Sequence, residues 1–103
     1  MASAAASEQW EEFMPGGYSP IDINDPQVTG IANFAVTKYN RRSAAKLKFE
    51  KVIKGEAQAV EGTNYKLTLS ASNGSVSNTY ETVVYESLWG DTKELTSFVR
   101  VHA

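Results

Sequence analysis

Residues 64–86 read NYKLTLSASNGSVSNTYETVVYE, and this stretch decides the fold. In its first half, apolar and polar residues alternate, which is the pattern of a β-strand with one buried face. The apolar positions of that half are Tyr65, Leu67, Leu69 and Ala71. Asn73-Gly74 then gives a strong hairpin signal, and a run rich in β-branched and aromatic residues follows at 76–86. The stretch therefore predicts two antiparallel strands joined by a tight turn.

Two more strand patterns flank this hairpin. Residues 47–54, LKFEKVIK, begin with alternating apolar and charged residues, and residues 93–101, KELTSFVRV, form a further run of strand type. Two segments with little to bury separate these runs from the hairpin, GEAQAVEG at 55–62 and SLWGDT at 87–92. We expect both to be exposed loops, the first of them longer than the two residues that a hairpin turn needs. The loops emerge at the same edge of an antiparallel meander.

A helix is predicted on the N-terminal side of the strands. Asn24 or Asp25 can cap it, and Pro26 suits its first turn. We expect Asn40 to close the helix, and Gly30 within it to mark a close approach of the sheet. The apolar residues recur at helical spacing and form one continuous face: Val28, Ile31, Ala32, Ala35, Val36 and Tyr39. One apolar helix face and one apolar sheet face predict a two-layer α+β domain, in which the sheet wraps across the helix.

The chain divides into an arm and a domain. Residues 1–20 are small, polar and punctuated by proline, and we expect them to form a flexible N-terminal arm. Residues 21–103 are expected to form a single domain. A chain of 103 residues is long enough to bury roughly 60–65% of its unfolded surface without covalent staples.

Composition excludes several classes of function. Ten basic and twelve acidic side chains give a net charge of −2, which provides no footprint for nucleic acid or an anionic membrane. The absence of cysteine removes disulfides, thiolate metal sites and thiol catalysis. His102 is the single histidine, and the acidic residues lack metal-ligand spacing. We therefore expect no catalytic residue, no metal and no cofactor. The first ten residues lack a signal-peptide pattern, which leaves cytoplasmic and secreted locations open.

Four motifs together resemble those of the plant cystatins, which are inhibitors of papain-like cysteine proteases. The motifs follow the family's order and spacing over nearly the whole chain. They are the Gly16-Gly17 pair of the arm, the helix segment IANFAVTKYN at 31–40, the motif Gln58-x-Val60-x-Gly62, and Trp89 in the second loop. A five-residue motif alone would be a weak signal, whereas four in the right order are strong.

The resemblance implies a cystatin-like fold, with an antiparallel four- to five-stranded sheet wrapped around one long helix. It also implies a reversible, competitive inhibitor of cathepsin-like and other papain-like cysteine proteases. The arm, the QAVEG hairpin loop and the second loop would occlude the active-site cleft without presenting a peptide bond to the catalytic thiolate. The implied protease-binding residues are Gly16, Gly17, Gln58, Ala59, Val60, Glu61, Gly62, Leu88 and Trp89.

One departure from the family pattern bears on function. The family usually has proline before the second-loop tryptophan, whereas this chain has Leu88, so we expect a less rigid loop that contributes less. A rival hypothesis is a non-inhibitory binding module on the same scaffold with a different partner. The active form is expected to be a monomer, and exchange of the helix and first strand between two chains would give an inactive dimer. Trp10 in the arm has no assigned role.

Overall fold

Five antiparallel strands and one helix make up the computed structural model, which describes residues 17–102. The elements are β1 Ser19–Pro20, α1 Pro26–Ser43, β2 Lys48–Val60, β3 Gly62–Asn73, β4 Val76–Glu86 and β5 Lys93–Arg100. The strands are neighbours in chain order, and every neighbouring pair is antiparallel. The predicted α+β arrangement is confirmed. Within residues 17–102, no helix is long and apolar enough to cross a membrane.

The start of α1 follows the predicted capping pattern. The Asp25 side chain accepts a hydrogen bond of 2.9 Å from the backbone N–H of Gln27, and Pro26 occupies the first turn. Five of the six predicted face residues are buried: Val28, Ile31, Ala32, Ala35 and Val36. The sixth, Tyr39, is partly buried and stacks on Phe98, with ring centroids 4.2 Å apart.

Two expectations about the helix are wrong. The helix continues past Asn40 to Ser43, and Ala44 caps it in a left-handed conformation. The Asn40 amide instead bonds both backbone groups of Leu47, donating to the carbonyl at 2.9 Å and accepting from the N–H at 3.0 Å. Gly30 is exposed, and a Cβ atom there would meet nothing within 4 Å, so the sheet does not approach it closely.

The segment 55–62 is strand and not the long loop that its composition predicted. β2 runs to Val60 and β3 begins at Gly62, so Glu61 alone connects them. Gly55, at the start of this segment, has a structural reason to be small. A Cβ atom at Gly55 would lie 3.1–3.3 Å from the side chains of Ile21, Leu67 and Ile23. The glycine thus lets the chain that leads into α1 pack closely on β2.

The hairpin between β3 and β4 turns one residue later than Asn73-Gly74. Asn73 and Val76 are partners across the ladder, which leaves Gly74 and Ser75 as the central residues. Gly74 has a φ of +71°, and Ser75 does not share a positive φ. Glycine at the first central position is typical of a type II′ turn, whose twist matches the flanking strands.

The core lies between the inner face of the sheet and α1. The inward positions predicted for β3 are confirmed, because Leu67, Leu69 and Ala71 are buried and Tyr65 packs against them. The other sheet residues of the core are Tyr80 and Val84 on β4 and Leu95 on β5. Thr82 is the buried polar residue of this part of the chain, and its hydroxyl donates to the carbonyl oxygen of Ser97 at 2.7 Å. The core therefore packs the inner face of the sheet against the apolar face of α1.

Candidate functional site

The turn between β2 and β3 and the second loop lie at the same end of the sheet. Ladder pairing places Ala59, Thr63, Glu86 and Lys93 in one row across four strands. The turn at Glu61 and residues 87–92 both emerge beyond this row. Because β1 is antiparallel to β2, with Ser19 opposite Ala57, the chain before Ser19 runs towards the same end. We call residue 17 and residues 59–63 and 87–92 the rim.

The tip of the first hairpin, residues 59–63, is thin and partly apolar. Val60 is 45% exposed, and its neighbours Ala59 and Glu61 are also exposed. Gly62 is buried with a φ of +112°, and a Cβ atom there would lie 2.7 Å from the Tyr85 hydroxyl oxygen. Only glycine fits this position without strain. Apart from the exposed Glu61, the tip therefore presents small side chains on a tightly bent backbone.

Gln58 lies two residues below the tip, at the side of the hairpin. It is half-buried, and its ladder partner is Asn64. The Asn64 amide nitrogen donates to the Gln58 side-chain oxygen at 2.9 Å. This bond fixes one end of the Gln58 amide and couples the two strands just below the tip.

The second loop carries the most exposed large apolar side chains of residues 17–102. Leu88 is 68% exposed and Trp89 is 85% exposed. They are the central residues of a turn that is closed by a hydrogen bond of 2.9 Å from the Gly90 N–H to the Ser87 carbonyl oxygen. Exposed apolar neighbours at a loop tip are typical of a protein-binding surface.

The N-terminal segment reaches the rim from the other edge of the sheet. Gly17 is exposed, and the Tyr18 ring lies beneath the Lys66 ammonium group, 5.6 Å from its nitrogen. Backbone pairing of Ser19 with Ala57 fixes the segment on β2. Gly16 and Trp10 lie outside the described residues.

A polar network lies behind the rim and joins α1 to the strands that lead into the second loop. The Gln27 amide nitrogen donates to the Tyr65 hydroxyl and to the Glu86 carboxylate, each at 3.1 Å. The Lys93 ammonium group lies 3.6 Å from the other Glu86 oxygen. Burial raises the pKa of Tyr65, and the negative charge of Glu86 adds to this effect. The network therefore links Glu86 and Lys93, the two residues that flank the second loop, to Gln27 at the start of α1.

The rim thus brings together most of the residues predicted to bind a protease. Val60, Glu61, Leu88 and Trp89 are exposed at one end of the sheet, and the segment containing Gly17 runs towards them. Sequence reasoning missed the supporting side chains of Gln27, Tyr85 and Ser87. Their roles depend on strand register and loop conformation, for which the sequence carries no periodic signal. Residues 17–102 contain no group of three or more histidine, aspartate and glutamate side chains placed to hold a metal ion.

Comparisons with known proteins agree with this architecture. The family model described as "Aspartic acid proteinase inhibitor" (SQAPI) matches residues 21–101. Cysteine proteinase inhibitor 5 of Arabidopsis thaliana is 49% identical over 85 residues, which cover 81% of this chain and 70% of that protein.

Two solved structures share the fold. A salivary cystatin from the soft tick Ornithodoros moubata has a TM-score of 0.75 at 26% identity, and the match covers 86% of this chain and all of that one. The squash aspartic acid proteinase inhibitor has a TM-score of 0.65 at 29% identity, with coverage of 80% and 88%. From its sequence relatives and its fold together, the chain belongs to the plant cystatin family.

Proposed function

We propose that this protein is a reversible, competitive inhibitor of papain-like cysteine proteases. The observation that carries the proposal is the rim, where the thin tip at Val60 and the exposed Leu88-Trp89 pair emerge at one end of the sheet. The relatives at 39–49% identity that are named cysteine proteinase inhibitors support this class of target.

The rim acts as a wedge. A papain-like protease has a long cleft with a thiolate–imidazolium pair at its centre. Ala59 and Val60 are small enough to enter that cleft, and Trp89 supplies a large apolar anchor at low entropic cost. The arm that precedes Ser19 enters the non-primed part of the cleft. None of the three segments is expected to place a peptide bond in register for attack by the thiolate. Binding is therefore non-covalent and reversible.

A second candidate function is inhibition of aspartic proteases. The family model that matches residues 21–101 is described by that activity, and the squash inhibitor of aspartic acid proteinases shares the fold. Two observations favour inhibition of cysteine proteases over inhibition of aspartic proteases. The apolar residues of the tip suit a narrow cleft. The sequence relatives are named as inhibitors of cysteine proteinases.

Titration of papain and of pepsin with the same inhibitor preparation separates these functions. Each protease is assayed with a fluorogenic substrate at several substrate concentrations. Cysteine-protease inhibition predicts near-stoichiometric loss of papain activity, with an apparent inhibition constant that rises linearly with substrate, and no effect on pepsin. Inhibition of pepsin alone would favour the second candidate. Loss of neither activity at micromolar excess would leave the non-inhibitory binding module.

The proposed active form is a monomer. Exchange of α1 and β2 between two chains would open the turn at Glu61 and so remove the tip from each rim. Gel filtration after mild heating, with papain inhibition measured on each peak, tests this part of the proposal. An inhibitory dimer would contradict it.

A further inference from the structure

Ser87 uses all of its polar groups within the second loop. Its backbone N–H donates to the Thr92 carbonyl oxygen at 2.9 Å, and its own carbonyl accepts from the Gly90 N–H at the same distance. Its hydroxyl donates to the Asp91 carboxylate at 2.7 Å and accepts from the Thr92 N–H at 3.1 Å. One serine therefore closes a six-residue loop from both of its ends.

The turn that Ser87 begins is one that proline would favour. Leu88 and Trp89 are its central residues, and neither has a positive φ, whereas the following Gly90 has a φ of +76°. A type I turn followed by a left-handed glycine has this pattern. Proline is preferred at the first central position of a type I turn, because its ring fixes the φ that the turn requires. Leu88 occupies that position and provides no such restraint.

We propose that the Ser87 hydroxyl is a positioning group that takes over the role of the missing proline. It holds the loop in its protease-binding shape through Asp91 and Thr92, and so presents Trp89 in a fixed direction. This inference rests on the proposed function. It also replaces the expectation that the loop is less rigid because proline is absent.

Rigidity matters here because Leu88 and Trp89 make few contacts of their own. With 85% of its surface exposed, Trp89 is held by the backbone of its turn and not by packing. A loop that is disordered before binding must lose its conformational freedom on contact with the protease, which weakens affinity. By restricting the loop in the free inhibitor, the Ser87 hydroxyl reduces the conformational entropy that is lost on binding.

The test uses the full-length chain in a Trp10→Phe background, so that Trp89 is the single tryptophan of the two in the sequence. Time-resolved fluorescence anisotropy reports the mobility of Trp89 in the free inhibitor, and titration of papain reports affinity. Ser87→Ala should release Trp89 and weaken inhibition about five- to tenfold. Ser87→Thr, which keeps the hydroxyl, and the double variant Ser87→Ala/Leu88→Pro should restore both readouts. Ser75→Ala, in the turn at the opposite end of the sheet, should change neither.

Each outcome decides the proposal. Unchanged anisotropy and affinity in Ser87→Ala would overturn it, as would a mobile Trp89 with parental affinity. If neither rescue variant restored the parental anisotropy and affinity, the Ser87 hydroxyl would not act by holding the turn, and the proposal would be wrong. If the parent protein does not inhibit papain, the proposed function fails and the claim about affinity fails with it. The anisotropy still shows in that case whether Ser87 holds the loop.

Discussion

The hydroxyl group of Tyr85 donates a hydrogen bond to the backbone carbonyl oxygen of Glu61, and so ties the strand below the second loop to the tip of the first hairpin. Gly62 lies directly against the same Tyr85 side chain. The tip of the first hairpin is therefore connected by a hydrogen bond to β4, the strand that leads into the second loop. We expect a substitution that removes this hydrogen bond to alter the conformation of the hairpin tip.

Tyr85→Phe should weaken protease inhibition about fivefold, because the Glu61 carbonyl loses a partner that fixes the tip. The free energy of unfolding should fall by about 1 kcal/mol or less, since Glu61 is exposed and water can replace the hydroxyl. The inhibition constant and urea unfolding are measured together. Tyr39→Phe is the control, because its ring stacks on Phe98 away from the rim. Equal weakening by both variants would show that the Tyr85 hydroxyl has no special role.

Gly62→Ala and Gly30→Ala should change stability in opposite directions. At Gly62 the φ of +112° and the nearby Tyr85 hydroxyl both oppose a side chain, so alanine should cost about 2–3 kcal/mol. At Gly30, in the second turn of α1, a Cβ atom would meet nothing within 4 Å, so alanine should stabilise by up to about 1 kcal/mol. Urea midpoints measure both effects. A Gly62→Ala protein as stable as the parent would refute the structure of the tip.

Removal of the Tyr65 hydroxyl should change how stability depends on alkaline pH. The folded protein holds this proton more tightly than the unfolded chain does, because burial and the negative charge of Glu86 raise the pKa of Tyr65 above its ordinary value. This contribution is fully present below the unfolded pKa and is lost as the pH rises through the folded pKa. The stability difference between the parent and Tyr65→Phe should therefore shrink above about pH 10. A difference that stays constant from pH 8 to pH 11 would contradict this assignment.

Asn40→Ala should destabilise the fold by about 2 kcal/mol, because it leaves both backbone groups of Leu47 without their part-buried partner. Asn33→Ala is the matched control. Its amide is exposed and donates to the Thr29 carbonyl within the same helix, so its effect should be within about 0.5 kcal/mol. Thermal and urea unfolding compare the two variants. Similar losses would mean that the link between α1 and β2 is unimportant.

Much of the fold was predictable from local pattern. The helix cap at Asp25, the buried face of α1 and the inward residues of β3 all follow from spacing and side-chain chemistry. The extent of β2 was not predictable. The segment around Gly55 has the composition of a loop because it lacks large apolar residues. For Gly55 itself the reason lies in Ile21 and Ile23, whose side chains pack close to it from a distant part of the sequence. Local composition cannot show such a contact.

The candidate site also contains residues that the sequence could predict and residues that it could not. Residues that meet solvent, such as Val60 and Trp89, could be identified from motif and exposure. Residues that hold them in place could not, because Tyr85 and Ser87 act through backbone atoms that only strand register and turn geometry bring near. The expected weakness of the Leu88 loop came from comparing one residue with a motif. We propose instead that hydrogen bonds of the neighbouring Ser87 restrain this loop.

The most direct test of the central claim is the inhibition constant against papain for two aspartate variants. Val60 at the rim and Val76 in the opposite hairpin are both exposed valines, 45% and 58% respectively. If the rim enters the protease cleft, Val60→Asp buries an unpaired charge and should cost about 3 kcal/mol or more of binding, whereas Val76→Asp should leave the constant unchanged. Parental inhibition by Val60→Asp, or equal loss in both variants, would contradict the account.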